Sequence, residues 1–64
     1  MRATRKQIDA IERLAEALGA PDGRDWLRER LRHRALDECD ARLLLRALRQ
    51  CRTIDDIDAR VTVF

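Results

Sequence analysis

The chain has 64 residues, 14 of them basic and 12 acidic, for a formal net charge of +2. Such a length holds one small domain whose core supplies only a few kcal/mol of stability, and it leaves little material for the walls of a conventional enzyme cleft. There is no run of about twenty apolar residues to cross a membrane, and the polar, charged start does not resemble a signal peptide, so a cytoplasmic protein is expected.

Thr4-Arg5-Lys6-Gln7 has the form of a capping box and predicts a first helix over about 5–18. Ile8, Ile11, Leu14, Ala15 and Leu18 recur at three- and four-residue steps and lay one apolar stripe along it. Gly19 suits the left-handed residue that closes a helix, and Pro21 stops its continuation. Asp22 or Asp25 caps a second helix over about 23–34, whose stripe is narrow: Leu27, Leu31 and Ala35. At 100° per residue Trp26 lies roughly 120° from the midpoint of Leu27 and Leu31 on that stripe, which puts it at the edge of the core.

Asp37 and Asp40 occupy the N-cap and third positions of a third helix over 38–51, with Leu36 and Ala41 placed for a hydrophobic staple. Ala41, Leu44, Leu45, Leu48 and Cys51 form its inner face. Acids gather in its first turn and Arg46, Arg49 and Arg52 towards its end, as the helix dipole favours. Thr53 with Asp56 signals one more cap, for a short helical turn at 54–59 that carries Ile54 and Ile57. Residues 60–64 then become β-branched and aromatic. A lone strand cannot satisfy its own backbone, so this tail either frays or docks on a second copy, another protein or the groove between the helices. If extended, Val61 and Val63 face one way and Thr62 and Phe64 the other. The expected fold is all-α: a single domain over 1–64, built as a compact three-helix unit with a short fourth helical turn and a β-prone C-terminal tail. Ile8, Ile11, Leu14, Leu18, Leu27, Leu31, Leu44, Leu45 and Leu48 are its expected core.

Thr4-x-x-Gln7-Ile8 opening one helix and Ala41-x-x-Leu44-Leu45-x-x-Leu48 in a later one resemble a small helical module of phage and plasmid proteins. In that module the second helix typically reads Ala-Ser-x-Leu-Ile-x-x-Leu, and the module is often attached to DNA-annealing or other DNA-processing proteins. The resemblance covers residues 4 to about 50; Arg42 stands where the pattern has serine, and Leu45 where it has isoleucine. It implies mobile-element biology and carries over no catalytic residue.

Thirteen of the fourteen basic residues are arginine, and residues 24–52 hold nine of them against five acids. The last twelve residues reverse the sign, with Asp55, Asp56 and Asp58 against Arg60. Arg24, Arg28 and Arg32 stand four apart on one face of the second helix, with Arg30 and Arg34 across the Leu27–Leu31 stripe. Arg42, Arg46 and Arg49 make a ridge on the third. Such ridges suit phosphates or an acidic protein surface. They equally suit a solvated face laced by pairs such as Asp25–Arg28 and Glu29–Arg32. Trp26, with Arg30 one turn on for cation–π contact, has the make-up of an interface anchor, or of a ring folded over its own core edge. A helix-turn-helix is disfavoured, because Asp37, Glu38 and Asp40 stand where a recognition helix would read bases.

Chemistry beyond binding finds no residues to carry it. Cys39 and Cys51 with the single His33 cannot assemble a tetrahedral zinc site. Twelve residues apart on one helix, or about 18 Å, they cannot form a disulfide, and both read as small, mostly buried thiols. The aspartates at 55–58 lack the glycine turn and closing glutamate of a calcium loop. The chain has no serine, His33 reads as a surface residue, and no nucleophile–base pair can be named, so no catalytic residue, cofactor or metal is expected. Two function classes remain. One is a protein-interaction factor binding a larger complex or itself through Trp26, the ridges and Val61, Val63 and Phe64. The other is a small DNA- or RNA-binding accessory protein using the arginines on phosphates.

Overall fold

Helices start where side chains can satisfy the first free amides, and two starts are built as the capping signals require. The structure, a computed structural model, describes residues 1–31 and 35–57. It contains α1 (Arg5–Ala17), α2 (Gly23–Leu31) and α3 (Glu38–Gln50), with no strand among the described residues. At α1 the Thr4 hydroxyl accepts from the Gln7 amide at 3.2 Å while the Thr4 amide donates to Gln7 Oε1 at 2.9 Å, the reciprocal pair of a capping box. At α3 Asp37 Oδ1 accepts from the Asp40 amide at 3.0 Å, and Leu36 and Ala41 are both buried, as the staple requires. At α2 the choice resolves to Asp22, whose Oδ1 accepts from the amides of Arg24 and Asp25 at 2.9 and 3.2 Å.

Gly19 ends α1 at a φ of +118°. Its amide donates to the Glu16 carbonyl, and the Ala20 amide reaches back to Ala15, the two bonds of a Schellman closure. Ala15 and Ala20 are both buried, which supplies the accompanying apolar contact.

Backbone bonds at both ends fix the relative direction of α1 and α3. At one end the Ala3 amide donates to Leu36 and the Glu38 amide to Met1, so that Arg2 and Asp37 form an isolated antiparallel bridge. At the other end the Ile54 amide donates to Leu18. The starts of α1 and α3 are therefore neighbours, and so are their ends: the two helices run the same way, and α2 returns the chain between them. Helix α1 packs against both partners, whereas α2 and α3 make no comparable approach. The three-helix unit is thus organised around one shared helix.

The largest fully shielded side chains are Ile11, Leu44, Leu48 and Ile57, joined in one cluster by Leu27, Leu36, Ala41 and Cys51. Ile8, Leu14, Leu18, Leu31 and Leu45, expected inside, pack against this cluster but remain partly exposed. Ala35, expected on the α2 stripe, is exposed outside the helix, and the buried residue of that connection is Leu36. After α3, Asp56 Oδ2 accepts from the amides of Arg52 and Thr53, and the Ile57 amide closes a turn onto Ile54. Residues 58 and 59 of the expected fourth helical turn, and the tail at 60–64, lie outside the described residues. No helix among the described residues is long and apolar enough to cross a membrane.

Cysteine placement corrects the sequence reading. Cys51 is buried at the end of α3, but Cys39 is exposed. The reason is helical phase: Cys39 precedes the fully buried Ala41 by two positions, about 200° around the helix, and so points away from the core. Alkylation of the native protein with iodoacetamide is expected to modify Cys39 at the rate of a free thiol and Cys51 at least tenfold more slowly. Equal rates, read by peptide mass, would place both thiols on the surface.

Candidate functional site

The arginines and the tryptophan fall on separate elements, and the fold brings only some of them together. On α2, Trp26 is partly buried against the core cluster, and the Arg30 guanidinium carbon lies 5.3 Å from its ring centroid. The two are four residues apart on one helix, so α-helical geometry alone makes the contact possible. Arg30 is itself partly buried, while Arg24 and Arg28 are exposed. Arg28 Nη1 approaches Asp25 Oδ1 at 3.9 Å, but both side chains are at least 70% exposed, so the pair adds little stability and leaves the arginine available. Arg32 and Arg34, with His33, lie outside the described residues, as do Val61, Val63 and Phe64.

On α3, Arg42, Arg46 and Arg49 are exposed. Arg42 Nη2 meets Glu38 Oε1 at 3.5 Å, one turn earlier. Arg42 and Arg46 flank Leu43, which is 51% exposed, and with Cys39 these residues line a shallow surface hollow. Arg24 and Arg28 thus stand on a helix whose backbone does not closely approach that of α3, which carries Arg42, Arg46 and Arg49.

Arg49 takes part in an arrangement that sequence spacing did not indicate. It closes a groove of about 440 Å³ whose other wall is α1, with Lys6, Asp9 and Arg13 at the rim and Ala10 and Leu14 at the floor. Lys6, Asp9, Arg13 and Arg49 make no ion pair among the described residues. The seven-residue interval from Lys6 to Arg13 was visible as a two-turn repeat, but only the packing of α3 on α1 adds Arg49. Nor did the sequence single out Gly23, the first residue of α2. Its amide donates to Glu16 Oε2 of α1 at 3.1 Å, and its α-carbon lies against the α1 backbone at Glu12.

Among the described residues, no three of histidine, cysteine, aspartate and glutamate are grouped so as to hold a metal ion. Compared with known proteins, the chain matches no family model, no curated protein and no solved structure.

Proposed function

We propose that this chain is a small non-enzymatic protein-interaction factor, cytoplasmic and of the phage- or plasmid-encoded kind that its helix motifs resemble, which binds a larger nucleic-acid-processing complex or itself. The observation that carries this reading is the Trp26–Arg30 pair. A ring resting partly on its own core, with a cation 5.3 Å from its centroid and two exposed arginines on the same helix, has the composition of an interface hot spot. The short turn at 54–59 leads into the tail, and Val61, Val63 and Phe64 act there as a docking strand that adds to a sheet edge or pairs with a second copy. The second reading, a DNA- or RNA-binding accessory protein, is favoured by Arg24, Arg46 and Arg49, exposed and without an ion pair among the described residues.

Charge reversal tests the α2 surface under either reading, and nuclease treatment with salt dependence separates the two. The triple variant Arg24→Glu, Arg28→Glu, Arg32→Glu is expected to lose the partner captured from the native host while its circular dichroism stays unchanged. Under the interaction reading, capture by the parent survives nuclease treatment and depends weakly on salt. A partner that is nucleic acid, lost log-linearly with rising salt, establishes the second reading instead. Deleting residues 61–64 is expected to weaken binding or self-association at least tenfold, about 1.4 kcal/mol. Undiminished affinity would remove the tail from the interface.

A further inference from the structure

We infer that the groove between α1 and α3 is a docking site for an acidic peptide segment that carries an apolar side chain. The inference does not depend on Trp26 or the α2 arginines, which lie on another helix. Its first ground is charge complementarity. Lys6 and Arg13 stand two turns apart on α1, about 10 Å along the axis, and Arg49 faces them from α3. All three are exposed and make no ion pair among the described residues, so their charge is available to a ligand.

The second ground is the floor. Ala10 and Leu14 are partly exposed at the bottom of the groove, between the cationic rims. Its volume of about 440 Å³ lies in the range that seats a small group or a side chain or two. An apolar side chain set there removes the remaining exposed surface of Leu14 from water, while flanking carboxylates reach the lysine and the arginines. This is the usual division of labour in peptide recognition, with apolar anchors for affinity and charges for orientation.

The same features argue against a nucleic-acid strand. Asp9 stands in the rim between Lys6 and Arg13. Its carboxylate repels any anion at that point, so a ligand must space its charges to meet Lys6 and Arg13 on either side of it, which a peptide can do and an evenly charged phosphate backbone cannot. Among the described residues, no aromatic side chain lines the groove to stack a base.

The test uses the full chain and three labelled probes of matched net charge: a peptide of glutamate and leucine, polyglutamate, and a single-stranded oligonucleotide. Fluorescence anisotropy is expected to show the glutamate–leucine peptide binding at least tenfold more tightly than either of the others. The double variant Arg13→Glu, Arg49→Glu is expected to weaken that binding at least tenfold. Lys6→Glu, at an exposed position in the first turn of α1, provides a second variant if the double one fails to fold. Arg24→Glu, Arg28→Glu, which removes the same charge from another helix, is expected to weaken peptide binding by no more than about threefold, which separates the groove from the general charge of the chain and from the fate of the α2 surface. Equal binding by a folded groove variant, a polyglutamate or oligonucleotide affinity matching that of the peptide, or no peptide binding at millimolar concentration would each overturn the assignment.

Discussion

Replacing Gly23 with alanine is expected to destabilise the domain by about 3 kcal/mol, the upper end of the cost of overpacking. A Cβ added there would lie 2.7 Å from the Glu12 carbonyl carbon and 2.8 Å from its Cα, and closer still to its carbonyl oxygen. These are main-chain atoms inside α1, so no side chain can swing aside; α2 must move off α1, opening the core between them. The direction of the effect is the diagnostic part. At an unconstrained helical position the same substitution stabilises by about 0.4–1 kcal/mol, because it reduces the freedom of the unfolded chain. Gly19→Ala is a useful comparison, since there an added Cβ meets only Ile54 Cγ2, at 4.0 Å. Its cost comes from the φ of +118° alone and is expected to be about 1–2 kcal/mol. Urea melts followed by circular dichroism should therefore rank the parent above Gly19→Ala, and Gly19→Ala above Gly23→Ala. A Gly23→Ala protein as stable as the parent would mean that α1 and α2 cross farther apart.

Legibility in this sequence follows the range of the interaction. The caps were readable because each is local: Thr4 meets Gln7, Asp37 meets Asp40, and Gly19 closes the turn before it. The Trp26–Arg30 contact was readable for the same reason, as a pair one helical turn apart. The bridge between Arg2 and Asp37 joins residues 35 apart through backbone groups, which leave no mark on side-chain pattern. Gly23 was silent because a glycine needed for close helix approach looks in sequence like a glycine in a loop. The groove residues divide along the same line: Lys6 and Arg13 share a helical face, and only packing adds Arg49. Cys39 is a different case. The phase of α3 already turned it outward, and the general preference of cysteine for burial was the weaker guide.

Four leucines on α3 give the sharpest test of its orientation, because three are consecutive and differ only in direction. Leu44 is 0% exposed and Leu48 1%, Leu45 is intermediate, and Leu43 is 51% exposed. Truncating Leu44 or Leu48 to alanine removes buried methyl groups and leaves a cavity, at an expected cost of about 2–5 kcal/mol each. A single core of this size supplies no more than about 3–5 kcal/mol in total, so either variant is expected to be substantially unfolded at room temperature. Leu45→Ala should fall between, since part of its surface is already in water. Leu43→Ala should lie within about 0.5 kcal/mol of the parent, as exposed substitutions do. Thermal melts of the four variants read the helix phase directly. If Leu43→Ala proves costly and Leu44→Ala does not, α3 is rotated by about 100° from the face described, and Arg49 leaves the groove it shares with Lys6 and Arg13.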